Sequence, residues 1–321
     1  MSSDVVLELR NVTKVFATHT AVDNISLTVK RGELHALLGP SGCGKTTALR
    51  MVAGFETPTQ GQILLSGRDI APLKPYERKV STVFQSYALF PHLTVRENIE
   101  FGLKQKGVPD RARRIDEALE MVRLTHRGGH KPPQMSGGEK QRAALARSLV
   151  LEPEVLLLDE PLSALDPNLR KQVRGELKAL QRRVGITFLM VTHDQEEALS
   201  MSDRITLLNK GRVEQVGTPE EIYLKPRTAF AAGFLGAMNW VDGIGVRPEC
   251  TFVALEKPGN GARSRAAVVK QSTFLGDCLH VEAEAAGGVP LVAQVSRLNG
   301  RYQPGQAVHI WWHAQDELRL E

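Results

Sequence analysis

The 321-residue chain is 42% hydrophobic and 24% charged, with a formal net charge of +5. Its length exceeds that of a usual single domain, which predicts two domains and a sizeable core, while its basic residues are spread among acids, which argues against a nucleic-acid footprint. No apolar stretch approaches the roughly 20 residues of a membrane-crossing helix, and Met1-Ser-Ser-Asp4 lacks the basic start of a secretory leader, so a cytosolic protein, or one held at a membrane by partners, is expected.

Val12-Thr-Lys-Val15 is followed by a lone aromatic, Phe16, that either packs in a core or offers a stacking surface. Glu33-Leu-His-Ala-Leu-Leu38 can form a strand. Gly39-Pro40-Ser41-Gly42-Cys43-Gly44-Lys45-Thr46 comes next and matches G-x-x-x-x-G-K-[ST], the Walker A phosphate loop, with Thr47 continuing it. Lys45 to Val52 has no Gly or Pro and suits a helix, so the loop has the strand and helix that a phosphate cradle requires. Gly42 and Gly44 let consecutive N–H groups point at phosphate oxygens, and the helix start adds its positive dipole end. Lys45 would reach the β- and γ-phosphates of ATP, and the Thr46 hydroxyl would coordinate Mg²⁺. Cys43 lies inside the loop, so its alkylation is expected to block ATP hydrolysis. With Cys250 and Cys278 it makes three scattered cysteines, a usage that fits a reducing compartment.

Arg111-Ala-Arg-Arg114 opens an amphipathic helix whose Ile115, Leu119 and Val122 mark the buried face, its arginines reading as a solvated one. His126 and His130 lack metal-ligand spacing, so no zinc site is expected. Ser136-Gly137-Gly138-Glu139 fits the S-x-x-E capping box of a helix start. Val155 to Leu158, set off by Pro153, reads as a buried strand of a parallel sheet. Two carboxylates at its C-terminal end, Asp159 and Glu160, would lie beside the phosphate loop, where open α/β sheets bind ligands. Asp159 would hold Mg²⁺ through water and Glu160 would polarise the attacking water. Asp166 with Pro167 reads as a helix N-cap. Leu169, Val173, Leu177 and Leu180 stripe one face of the helix that follows, with Arg170, Lys171 and Arg174 on its wet side. Ile186 to Thr192 predicts another strand, ending at His193. Beyond Gly233-Phe-Leu-Gly-Ala-Met-Asn239 the text turns β-rich, in Ala266 to Lys270, Leu291 to Val295 and Ala307 to Trp312, separated by Gly-containing turns.

With these motifs in this order the chain resembles the ATP-binding cassette (ABC) ATPases. Ser136-Gly-Gly-Glu139 resembles that family's signature, normally Leu-Ser-Gly-Gly-Gln, from which Met135 and Glu139 depart. The resemblance implies that Ser136 to Glu139 present amides to ATP on the P-loop of a second copy, and that Glu139 brings extra negative charge there. It also implies that Phe16 stacks on adenine and that Gln85, in Val83-Phe-Gln-Ser86, touches Mg²⁺ and senses membrane subunits. Ser163-Ala-Leu-Asp166 would cross the dimer interface as the D-loop, and His193, in Thr192-His-Asp194, would contact the γ-phosphate and orient the attacking water. The catalytic set is then Glu160, His193, Lys45 and Gln85, and the metal set is Thr46, Gln85 and Asp159.

The implied fold is an α/β P-loop NTPase cassette over residues 1–235, with an insert at about 89–151 that carries two helical patterns and the signature. A linker (236–245) and a small all-β, OB-like domain resembling TOBE (246–321) follow. Gly245-Val-Arg-Pro-Glu249, Phe274-Leu-Gly-Asp277 and the Gly305 turn carry that last resemblance. OB folds often bind nucleic acid, and Trp311 and Trp312 could stack bases. Adjacent strand residues face opposite sides, however, and the domain holds eight acids and eight bases, so core or interface packing is the reading adopted.

The resemblance, which covers nearly the whole chain, implies an ATPase of a binding-protein-dependent importer. It would work as a nucleotide-sandwich dimer at the cytoplasmic face of the plasma membrane with two permease subunits and an external solute-binding protein. Phe84-Gln-Ser-Tyr-Ala-Leu-Phe-Pro-His92, Lys178 to Phe188 and Thr192 to Asp203 look most like the spermidine/putrescine class, although ferric-iron, phosphonate, sulfate and sugar importers share much of the same text. A chromosome-maintenance ATPase would carry a long coiled coil between Walker A and the signature, where this chain has about 90 residues. A translation factor of the ABC type would carry a second P-loop. A regulatory role for the C-terminal domain stays open.

Overall fold

A computed structural model describes residues 4–259, 262–298 and 300–320 and divides the chain into two units, Met1–Ile222 and Tyr223–Glu321. In the first unit, β1 (Val5–Phe16) and β2 (His19–Lys30) form an antiparallel pair. β3 (Leu34–Leu38) is buried throughout, and α1 (Lys45–Ala53) follows the glycine loop. β4 (Gln60–Leu65) and β5 (Arg68–Asp69) complete a four-stranded sheet in the order β2-β1-β4-β5. Leu49, Met51 and Val52 of α1 join one apolar core with Leu7 and Leu9 of β1, and with Leu37 of β3.

The sheet that positions the site has six strands in the order β10-β9-β3-β8-β7-β6. Its members are β3, β6 (Val80–Val83), β7 (Val155–Asp159), β8 (Thr187–Thr192), β9 (Arg204–Asn209) and β10 (Arg212–Gly217). All pairings are parallel except that of the edge strand β10, as continuous apolar runs without alternation predict. Between β6 and β7 come α2 (Val95–Gln105), α3 (Arg111–Met121) and α4 (Gly137–Leu149), packed on one another. Ile115, Leu119 and Val122 are buried as the periodicity of α3 demands, and Arg111, Arg113 and Arg114 pair with Glu100, Glu117 and Glu152.

α5 (Pro167–Val184) and α6 (Gln195–Met201) flank β8. The supposed wet side of α5 is only partly wet. Arg174 keeps 14% of its side-chain area exposed and pairs with Glu196 at 2.9 Å, because α6 lies against that face of α5.

Arg78 had no sequence signal, yet it closes α1. Buried, it donates to the carbonyls of Met51 and Val52 at 2.6 and 2.9 Å and to those of Ala71 and Leu73 at 3.0 Å each. A cation at a helix C-terminus satisfies carbonyls that have no helical partner and opposes the dipole. Gly54 leaves it room, since a Cβ there would lie 2.7 Å from Arg78 Nε.

The second unit holds α8 (Ala229–Phe234), which follows α7 (Pro219–Leu224) at the junction, and then antiparallel sheets. One has the order β11 (Asn239–Val241), β12 (Ile244–Val246), β18 (Leu318–Arg319). The other runs β13 (Phe252–Ala254), β17 (Ala307–His313), β14 (Ala262–Phe274), β15 (Cys278–Ala285), β16 (Val289–Ser296). Alternation along β17 sends Trp312 into the core with Ile310 and Val281, its indole N–H donating to Glu317 at 3.2 Å. Trp311 lies on the opposite face, stacked on Phe252 with centroids 4.5 Å apart.

Arg247, in the Gly245 to Glu249 motif, donates to the carbonyls of Ala232 and Tyr223 at 3.1 Å each and sits 4.0 Å from the Tyr223 ring centroid. The Tyr223 hydroxyl donates to Glu249 at 2.5 Å. Burial first, and then that bond, push the phenol up to about 12.

Candidate functional site

The parallel register gathers four expected groups at the C-terminal edge of the six-stranded sheet. Leu38 is level with Thr192, Asp159 with Val191, and Val83 with Leu158. The P-loop therefore leaves β3 beside His193 at the end of β8, with Asp159 and Glu160 at the end of β7 and Gln85 two residues beyond β6.

Left-handed backbone shapes the loop, with φ of 76° at Gly42 and 100° at Gly44. A Cβ at Gly44 would stand 2.4 Å from the carbonyl oxygen of Ala21, so glycine is needed there for space as well as conformation. Inside this turn Lys45 is buried, and its ammonium donates to the carbonyls of Gly39 at 2.7 Å and Pro40 at 2.9 Å. The loop thus holds one desolvated cation under exposed Ser41, Gly42 and Thr46, which suits a polyanionic ligand. Phe16 at the end of β1 is 41% exposed, with the Lys14 ammonium 4.7 Å from its ring centroid, which excludes the core-packing alternative.

Cys43 is buried, and burial pushes its thiol up, against the pull of Lys45 beside it. The thiol should therefore alkylate slowly in native protein near neutral pH, because the thiolate is the reacting form. Full modification should abolish turnover, since Sγ already lies 2.7 Å from where a Cβ on Gly39 would be. Iodoacetamide labelling followed by peptide mass and phosphate release tests both points. Rapid labelling, or full labelling with unchanged turnover, would contradict them.

Glu160 adopts φ of 46°, a left-handed conformation unfavourable for a non-glycine L-residue and common where a site fixes its geometry. Both of its backbone groups are held, N–H to Val191 O at 3.0 Å and carbonyl by the Ser163 hydroxyl at 2.9 Å. Its carboxylate lies 3.2 Å from His193 Nδ1. His193 is steadied by its neighbours. Asp194 N–H donates to Thr192 Oγ1 at 3.0 Å, Thr192 Oγ1 donates to buried Glu197 at 2.6 Å, and Asp194 caps α6 and faces Arg170 at 3.4 Å. Burial first, then the charge of Glu160, push the Asp159 carboxyl up, with Arg50 opposing. A cation beside Asp159 would relieve that cost. Thr46, Gln85 and Asp159 each carry an oxygen donor, the chemistry that a hard ion such as Mg²⁺ takes.

The signature residues belong to another element, the start of α4. Ser136 Oγ accepts from Glu139 N at 3.3 Å and Ser136 N donates to Glu139 Oε2 at 2.8 Å, completing the capping box. Arg127 Nε meets the other Glu139 oxygen at 2.8 Å. The Ser136 N–H first, together with Arg127, holds the carboxyl below its usual range. The negative charge expected from Glu139 is thus offset by Arg127, a partner twelve residues upstream that no local pattern announces. Asp166 caps α5 through Leu169 N at 3.0 Å, with Pro167 at the first helical position.

The fold, the P-loop and the paired carboxylates place the chain in the ABC transporter family, whose sequence pattern matches residues 22–163, with a TOBE domain matching 244–320. It is an ABC-type ATPase. Among curated relatives it is 46% identical to the spermidine/putrescine import ATP-binding protein of Rubrobacter xylanophilus, over 98% of this chain and 94% of that one. It is 44% identical to the protein of the same name in Bacillus anthracis, over 98% and 99%. Among solved structures, a dimeric ATP-binding cassette bound to ADP and phosphate after hydrolysis aligns with a TM-score of 0.58 at 33% identity, over 66% of this chain and 98% of that one. A part of an ABC transporter complex from Clostridium perfringens aligns with a TM-score of 0.63 at 31% identity, over 68% and 91%.

Proposed function

We propose that this protein is the ATP-hydrolysing subunit of a polyamine importer, taking up spermidine and putrescine. The observation that carries the reading is the likeness to polyamine-import ATPases along nearly the whole chain, second unit included. Two copies bind two ATP at their interface, each P-loop facing the Ser136 to Glu139 segment of the other, at the cytoplasmic face of the plasma membrane. Two permease subunits dock near Gln85 to His92 and receive solute from an external binding protein.

In this mechanism Lys45 and the P-loop amides hold the phosphates, and Phe16 stacks on adenine. Thr46, Gln85 and Asp159 would hold Mg²⁺, which would supply neutralisation of phosphate charge. Glu160 accepts a proton from the attacking water, and His193 orients that water and contacts the γ-phosphate. Positioning and charge neutralisation dominate phosphoryl transfer, and the pinned backbone of Glu160 supplies positioning.

ATP-driven uptake of radiolabelled spermidine and putrescine into vesicles holding the reconstituted complex tests the proposal. The expected result is uptake by the wild type that disappears with Glu160→Gln. Normal hydrolysis without polyamine uptake would overturn the solute assignment and redirect the search to iron, phosphonate, sulfate and sugars.

A further inference from the structure

The loop that carries Gln85 is held in an unfavourable shape from outside. Tyr87 and Ala88 are consecutive non-glycine residues with φ of 61° and 47°, a pairing that neither would keep on its own preference. Their adjacent carbonyls both accept from one side chain of α4: Arg147 Nη2 meets Tyr87 O at 3.1 Å and Nη1 meets Ala88 O at 2.7 Å. The guanidinium also lies 5.9 Å from the Phe90 ring centroid, and no carboxylate among the described residues pairs with it. A planar fork matches two neighbouring carbonyls in a way that a point charge does not. Asn98 of α2, fully buried, grips the far end of the same loop. It accepts from Phe90 N at 2.8 Å and donates to Phe90, Leu93 and Thr94 carbonyls at 3.1, 3.2 and 2.9 Å.

We propose that Arg147 is a positioning residue that makes α4 a lever, linking the Ser136 end of the helix to the backbone beside Gln85. Arg147 stands eleven residues after Ser136, about 16 Å along a helix rising about 1.5 Å per residue. The capping box fixes one end of that rod and the two carbonyl bonds fix the other. A tilt imposed where Ser136 meets nucleotide therefore displaces residues 87 and 88, and Gln85 with them. This rests on the roles proposed above for Gln85 and Ser136.

Amide hydrogen exchange and steady-state ATP turnover on the full chain test the lever with Arg147→Met, Arg147→Lys and, as a reference, Gln85→Ala. Arg147→Met should raise exchange at residues 84–93 by about tenfold while amides of β3 and α1 stay at wild-type rates. It should lower kcat by about tenfold with KM for ATP within about twofold, and Arg147→Lys should fall between. Unchanged exchange at 84–93, or an equal rise in β3 and α1, would overturn the proposal, as would a raised KM with unchanged kcat. Should the Met variant fail to fold, Arg147→Lys carries the same comparison. If Gln85→Ala keeps wild-type turnover, the role of Gln85 falls, while the exchange result still decides whether Arg147 holds the loop.

Discussion

Glu160→Gln is expected to cut ATP turnover by about two to four orders of magnitude, the range for removing a positioned general base, while leaving nucleotide binding intact. The amide keeps the size of the carboxylate and can still meet His193 Nδ1, which lies 3.2 Å from the native oxygen. What is lost is the negative charge, and with it the ability to take a proton from water. In the proposed sandwich this variant should accumulate as a long-lived ATP-bound dimer. Size-exclusion chromatography with and without ATP, alongside phosphate release, reads both effects. A variant that stays monomeric with ATP, in a protein whose wild type transports, would sink the shared-site mechanism.

Lys45→Ala should be as severe by another route. The ammonium is buried and donates to Gly39 and Pro40 carbonyls at 2.7 and 2.9 Å. Its removal takes away the only cation inside the loop among the described residues and the charged donor to both carbonyls, with Pro40 O keeping the Cys43 N–H at 3.3 Å. Hydrogen bonds from charged groups contribute about 1.5–3 kcal/mol each, so ATP affinity should fall by at least about tenfold. Turnover should fall further, by about a hundredfold or more, because the charge is matched to the transferring phosphoryl group. Fluorescent-nucleotide titration and phosphate release separate the two losses, and circular dichroism checks the fold. Normal activity would contradict the cradle assignment.

Much of the local structure of the candidate site was readable because its parts are short in sequence and each carries its own physics. The P-loop declares itself by glycine spacing between a strand and a helix. Asp159 and Glu160 do so by ending an apolar run, and Ser136 and Asp166 by capping chemistry. Parallel pairing then brings the P-loop and the paired carboxylates to one edge without further instruction, since Leu38, Thr192, Asp159 and Val83 end neighbouring strands there, whereas Ser136 and Asp166 start the separate helices α4 and α5. Arginines with distant partners stayed illegible. Arg78 reaches Met51, Arg127 reaches Glu139, Arg147 reaches Tyr87, and Arg174 turns from solvent to Glu196. Their targets are mostly backbone carbonyls or carboxylates on other elements, and an arginine on a helix looks the same in sequence whether it faces water or a turn. The left-handed residues Tyr87, Ala88 and Glu160 were equally silent, since nothing in their types marks the conformation that the surroundings impose.

The grip of Arg247 on Tyr223 and Ala232 bears on how such proteins can be recombined. A chimera joined near residue 235, where the change in text suggests a seam, would separate this arginine from the carbonyls it serves and strand a cation among foreign neighbours. Joined between Ile222 and Tyr223, the incoming module arrives with its own fastening, together with the phenol that Glu249 receives. Shuffling C-terminal modules between importers should therefore succeed or fail on a shift of thirteen residues in the crossover point.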